Sequence, residues 1–136
     1  MEPRVLVYTD GGARGNPGPA AIGILIYTQE GKLLTNHREY IGKATNNQAE
    51  YAAMLKALEL AAQFTRSEVF CHSDSRLMVS QLCGTFRVKS PGLQEALRKV
   101  KNAEKSFSQV TYTHLPRTDS RIKLADRLVN MALDDK

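Results

Sequence analysis

Four acidic residues occupy positions from which a carboxylate could do chemistry. Asp10 follows the apolar run Val5-Leu6-Val7-Tyr8, and Asp74 follows a second run containing Val69, Phe70 and Cys71. Both runs read as short buried strands. The two acids are therefore expected at the carboxyl ends of strands, where open α/β sheets take their ligands. Glu50 lies one turn into an expected helix. Asp126 lies inside another, in Leu124-Ala125-Asp126-Arg127-Leu128. Both have apolar neighbours and are expected to face the sheet.

Taken singly, each acid has a structural explanation. An Asp after a strand serves as a turn or N-cap residue. A Glu in a first turn answers the helix dipole, and Asp126 could pair with a neighbouring Lys or Arg. Their number, and the glycine-rich stretch directly after Asp10, points elsewhere. Four carboxylates in one pocket repel and cannot all ionise unaided. Divalent cations resolve the conflict: Mg²⁺ takes oxygen ligands and keeps waters for substrate phosphates. Two such ions roughly 4 Å apart can activate a water and stabilise the leaving oxygen of a phosphodiester. No cluster of His or Cys indicates zinc.

The elements that must hold these residues can be read along the chain. Strands are expected over Arg4 to Thr9, Ala20 to Thr28 and Leu33 to Ile41. The first two are joined by the turn formers of 11–19, the second and third by Gln29-Glu30-Gly31-Lys32. Three strands without helices between them imply an antiparallel meander. Thr45 with Gln48 forms a capping-box pattern ahead of a helix over Asn46 to Phe64. A strand over Ser67 to His72 follows, then helices over Arg76 to Leu82 and Pro91 to Lys105. A strand over Gln109 to Leu115 and a helix from Asp119 or Ser120 to Leu133 complete the order βββαβααβα. Strands separated by helices are expected to join the sheet in parallel.

The length of 136 residues suits a single domain over 1–136. The 42% hydrophobic content excludes a disordered chain. No apolar run is long enough to span a membrane. The run near the N-terminus is too short for a signal-peptide core, so a cytoplasmic location is expected. Cys71 and Cys83 lack CxxC spacing and read as buried or semi-buried thiols. The net charge of +5 is mildly basic. With four acids tied up in one site, the remaining surface is more basic than the total and better suited to a polyanion.

Four segments resemble the motifs of type 1 ribonuclease H. They are Tyr8-Thr9-Asp10-Gly11-Gly12-Ala13-Arg14-Gly15-Asn16-Pro17-Gly18, Thr45-Asn46-Asn47-Gln48-Ala49-Glu50-Tyr51, Ser73-Asp74-Ser75-Arg76 and Ala125-Asp126-Arg127-Leu128-Val129-Asn130-Met131-Ala132. The resemblance covers nearly the whole chain. It implies a mixed five-stranded α/β sheet of order 3-2-1-4-5, the first three strands antiparallel, with helices on both faces. It implies that Asp10, Glu50, Asp74 and Asp126 hold two Mg²⁺ ions, with Mn²⁺ able to substitute. The implied reaction cuts the RNA strand of an RNA–DNA hybrid and leaves a 3′-hydroxyl and a 5′-phosphate, a chemistry suited to removing RNA primers and R-loops. By position, Gly11, Asn16, Asn46 and Asn47 resemble contacts to the RNA strand, and Thr45 part of a phosphate pocket for the DNA strand. Arg14, Ser75 and Arg117 complete the expected substrate contacts. These assignments agree with the chemistry. RNA differs from DNA by a 2′-hydroxyl displayed in a shallow groove, and Asn offers both donor and acceptor to it.

The chain departs from the family pattern in two places. The Lys/Arg/Trp-rich protrusion of some members is absent: the segment Leu82 to Pro91 is short, and there is no Trp. Hybrid binding is then expected to rest on scattered residues such as Arg14, Lys43, Arg76, Arg87 and Lys89, with a strong salt dependence. Many members also carry a histidine in the loop before the last motif. None lies between Leu115 and Asp126, and His114 reads as a structural strand residue. Pro116-Arg117 resembles a pair in compact archaeal and bacterial members, although Ile122 stands where those have Asn, and the loop is about two residues longer. Arg117, Asp119, Arg121 and Lys123 are all candidates to assist, and the sequence does not choose among them. No protein partner is evident, and a monomer is expected. A non-catalytic binding module on the same fold, or a nuclease for double-stranded RNA or DNA, are the competing readings.

Overall fold

Alternation along the strands decides which helix covers which face of the sheet. In the computed structural model, which describes Met1–Lys136, β1 spans Arg4–Ala13, β2 Gly18–Thr28 and β3 Leu33–Ala44. Helix α1 spans Asn46–Ala61, β4 Glu68–Ser73, α2 Arg76–Leu82 and α3 Pro91–Ala103. A short 3₁₀ turn over Glu104–Ser106 leads to β5, Gln109–His114, and the chain closes with α4, Ser120–Asp134. The strand order is β3-β2-β1-β4-β5. β1, β2 and β3 pair antiparallel, and β4 and β5 join in parallel. The expected α/β sheet is therefore the observed one.

Val5, Val7, Ile22, Ile24 and Ile26 point to one face, where Tyr51, Met54 and Leu58 of α1 and Val100 of α3 complete the main core. Tyr8, Leu25 and Tyr27 point to the other face and pack on Ile122 and Ala125 of α4. A one-residue step along a strand reverses the face, so the two sets interleave in β1 and β2. No helix is long and apolar enough to cross a membrane.

The structure moves several expected boundaries. The sequence pattern ends β1 at Thr9 and places residues 11–19 in a loop. The strand runs on to Ala13, with Asp10 paired to Gly23 and Gly11 to Ile22, and the loop shrinks to residues 14–17. Gly11 acts as a strand residue that lets α1 approach, and Gly12 as one that faces Val129 of α4, while Gly15 keeps a turn role at a φ of 102°. β3 extends to Ala44 because it follows β2 to that strand's first residue, Gly18. α1 ends at Ala61 instead of Phe64, and α3 at Ala103 instead of Lys105. Cys71 is buried as expected, but Cys83 is exposed, because it caps the end of the short α2.

Candidate active site

β4 stops pairing with β1 at Tyr8 and His72. Continued alternation then brings Asp10 and Asp74, two residues on in each chain segment, to the same face and side by side. Beyond that point β1 keeps β2 but has no β4 partner on its other edge. The Gly11 N–H donates instead to Glu50 Oε1 at 3.0 Å. Carboxylate oxygens of Asp10, Glu50 and Asp74 all come within 4.8 Å of one another. Asp126 stands outside this tight trio. It lies on α4, lines the same cavity, and is close enough to Asp10 to share a hydrogen bond when one of the two is protonated.

Crowding has an electrostatic cost. Burial, with the charges of Asp74 and Asp126 added, pushes the Asp10 carboxyl up to about 8. Burial, then Asp10 and Asp74, holds the Glu50 carboxyl well above its ordinary range. The only cation at hand is Arg117, whose Nε lies 3.6 Å from Asp74 Oδ2 on a side chain that is 89% exposed. A cluster of hard oxygen donors that cannot all be charged unaided fits a hard divalent cation.

The cavity has a volume of about 430 Å³ and no hydrophobic lining. Of the residues expected at the site, Gly11, Asn46, Asn47, Ser75 and Arg117 line it together with the four acids. Ser75 also caps α2 by accepting from Met78 N at 3.2 Å. Asn46 accepts from Ala13 N at 2.9 Å, which leaves its amide NH₂ free to donate. Three expected residues lie outside the cavity. Asn16 accepts from Asn46 N at 3.0 Å and braces the loop. Thr45 forms the capping box with Gln48, as its spacing predicts. Arg14 pairs with Asp134 at 2.8 Å.

Among the four candidates in the last loop, only Arg117 reaches the cavity. Asp119 caps α4 by accepting from Arg121 N and Ile122 N. Arg121 lies against Tyr8 and Tyr27. His114 ends β5 opposite Ser73. Asn130, within the last motif but not among the expected site residues, also meets Asp126. Its amide donates to the Asp126 backbone carbonyl at 3.2 Å and contacts Asp126 Oδ2 at 3.4 Å. The i, i+4 spacing within the last motif was the available signal.

A family model described as "Reverse transcriptase-like" matches residues 8–132. The chain is 40% identical to a protein named Ribonuclease HI from Halobacterium salinarum, over 97% of this chain and 65% of that protein. The crystal structure of RNase H1 from that archaeon superposes with a TM-score of 0.93, covering 98% of this chain and 99% of that one. The chain belongs to the type 1 ribonuclease H family. A second family structure, LC11-RNase H1 in complex with an RNA/DNA hybrid, is 40% identical with a TM-score of 0.88, over 96% of this chain and 97% of that one. A bifunctional protein of Mycobacterium tuberculosis is 36% identical over 96% of this chain. The chain spans just under two thirds of the Halobacterium relative and about a third of the mycobacterial one, 65% and 36% of their lengths. Family membership and the acidic cluster together support divalent-metal binding.

Proposed function

We propose that this chain is an endonuclease that hydrolyses the RNA strand of RNA–DNA hybrids and leaves 3′-hydroxyl and 5′-phosphate ends. One observation carries the reading: Asp10, Glu50 and Asp74 converge at the end of two parallel strands, with Asp126 facing them, in a wholly polar cavity. The four acids would hold two Mg²⁺ ions, for which Mn²⁺ can substitute. When bound, such a pair supplies an activated water and stabilises the leaving oxygen. The chain's own residues position the duplex. Asn46 and Asn47 offer amide donors at the cavity wall, where a 2′-hydroxyl would mark the RNA strand. Gly11 and Gly12 line the same cavity, and the bare backbone at Gly11 admits α1 and with it Glu50. Arg117 lies where it can meet a scissile phosphate or its product. Removal of RNA primers and R-loops is the cellular work that suits this chemistry.

The test is cleavage of end-labelled RNA–DNA, RNA–RNA and DNA–DNA duplexes with Mg²⁺ or Mn²⁺, beside Asp10→Asn. The expected result is metal-dependent cutting of the RNA in the hybrid alone, lost in Asp10→Asn while the fold persists. Full activity of the variant would sink the assignment. Binding without cleavage would leave the chain as a binding module.

A further inference from the structure

One rung down the sheet from the carboxylates lies a stack of four side chains that the proposed chemistry does not use. Tyr8 and His72 are partners across β1 and β4. Their rings lie face to face, with centroids 4.4 Å apart and planes 11° from parallel. The His72 Nδ1 donates to the Val7 carbonyl at 2.9 Å, which fixes the ring. Tyr27 of β2 meets Tyr8 edge-on, at 5.7 Å and 86°. The Arg121 guanidinium lies across both tyrosines, 3.9 Å from the Tyr27 centroid and 5.2 Å from that of Tyr8. Its Nη1 donates to the Tyr8 hydroxyl at 3.2 Å.

Arg121 is in the first turn of α4, the helix that carries Asp126. A cation there faces the positive end of the helix dipole, so its position needs compensation. Asp119, the N-cap, supplies a charge, and the two aromatic faces supply the remainder. The arrangement pins α4 to the strand of Asp10 directly and, through the Tyr8 ring, to the strand of Asp74. Contact is close on the same line. A Cβ at Gly23 of β2 would fall 2.3 Å from the Ala125 carbonyl oxygen, so the helix sits on bare backbone one residue before Asp126.

We propose that Arg121 is a positioning residue: it fixes the rotation and height of α4 so that Asp126 meets Asp10 and Asp74 in the arrangement a divalent ion requires. The proposal rests on the metal-binding reading of the site. Arg121→Met keeps length and apolar bulk but removes the planar charge. Arg121→Lys keeps the charge without the plane, and Tyr8→Phe keeps the ring without the hydroxyl.

Mn²⁺ binding is measured by calorimetry on the folded proteins without hybrid, and hybrid cleavage separately. Arg121→Met is expected to bind Mn²⁺ about tenfold or more weakly, as for residues that orient metal ligands. Its kcat should fall roughly tenfold to a hundredfold, as for a small misplacement of a catalytic group, with KM for the hybrid unchanged. Arg121→Lys should lie between Arg121→Met and the parent, and Tyr8→Phe close to the parent. Lower thermal stability with parental Mn²⁺ affinity and kcat would overturn the proposal and leave the site reading intact. A parent that neither binds Mn²⁺ nor cleaves would overturn both. If Arg121→Met does not fold, the same comparison between Arg121→Lys and the parent decides.

Discussion

Gly11 gives its N–H to Glu50 at 3.0 Å, and the space where its Cβ would be is filled by α1. That Cβ would fall 2.3 Å from the carbonyl carbon and oxygen of Ala49 and 2.7 Å from Glu50 N, all backbone atoms that cannot rotate away. The absence of a side chain at position 11 is thus what lets a helix carboxylate join two strand-end carboxylates.

Gly11→Ala should therefore push the N-terminal half of α1 off the sheet. The expected cost is about 1–3 kcal/mol, as for overpacking of a tight contact. Activity should fall further than stability, because Glu50 moves with the helix. Denaturant melts and hybrid cleavage on one preparation check both parts. A variant with parental stability would show that the approach is looser than its distances indicate.

The acid cluster predicts a direction for stability against pH in the presence of a chelator. The Asp10 carboxyl is pushed up to about 8 in the folded chain, by burial first, against about 3.9 when unfolded. Between those values the unfolded chain has released this proton and the folded chain still holds it. Stability from this group is therefore complete below about pH 4, falls as pH rises and levels off above pH 8. Glu50, raised by burial and then by Asp10 and Asp74, acts in the same direction. His72 acts oppositely below 6.5, since burial lowers its pKa, so the cleanest window is pH 7 to 8.5. Asp10→Asn removes the titration and should be more stable than the parent at pH 8, by at most about 5 kcal/mol, which is the rise from about 3.9 to about 8 at about 1.4 kcal/mol per pKa unit. Excess Mg²⁺ should close that gap by stabilising the parent. Thermal unfolding with chelator or Mg²⁺ is the measurement. A metal-free parent that gains stability across this window would contradict the crowding argument.

These dependencies show where the sequence is transparent. Asp10 and Asp74 were legible because each ends an apolar run, and alternation then puts them on one face. The cap at Thr45 and Gln48 was legible because its partners are three residues apart. The extension of β1 through Gly11 and Gly12 was not, since glycine reads as a turn former when its neighbours in space are unknown. The Arg121–Tyr8–Tyr27 stack joins residues far apart in the chain, such as Tyr8 and Arg121, 113 positions apart. No local period marks such a contact. The place of Asp126 beside Asp10 depends on that packing and on the bare backbone at Gly23, so the motif named the residue without locating it.

Arg117 offers a test in which stability and function separate. Its ion pair with Asp74 is long, and its side chain is almost fully solvated. Exposed pairs of this kind contribute about 0–1 kcal/mol. Arg117→Ala should leave the melting temperature nearly unchanged. It should slow turnover and flatten the salt dependence of hybrid binding by about one phosphate contact. Turnover equal to the parent's across a salt series would remove Arg117 from the machinery.

Arg14 gives the opposite case, a cation already engaged. Its Nη2 lies 2.8 Å from Asp134 and 3.4 Å from Asn130 Oδ1, so the loop after β1 is tied to the last turns of α4. Both partners of the ion pair are about half exposed or more, 47% and 64%, and the pair contributes little to stability. It does set a competition, because an Arg bound to a carboxylate must leave it to meet a phosphate. Asp134→Asn weakens that competitor while keeping its shape. Hybrid affinity at low salt should rise about 1.4- to fivefold, the equivalent of the roughly 0.2–1 kcal/mol such a pair contributes. The gain should shrink as salt screens both contacts, and kcat should hold because no site carboxylate moves. Arg14→Ala should lose affinity, and in that background Asp134→Asn should have little further effect. Equal gains from Asp134→Asn with and without Arg14 would mean that removing any surface acid suffices and that the ion pair does not hold the arginine back.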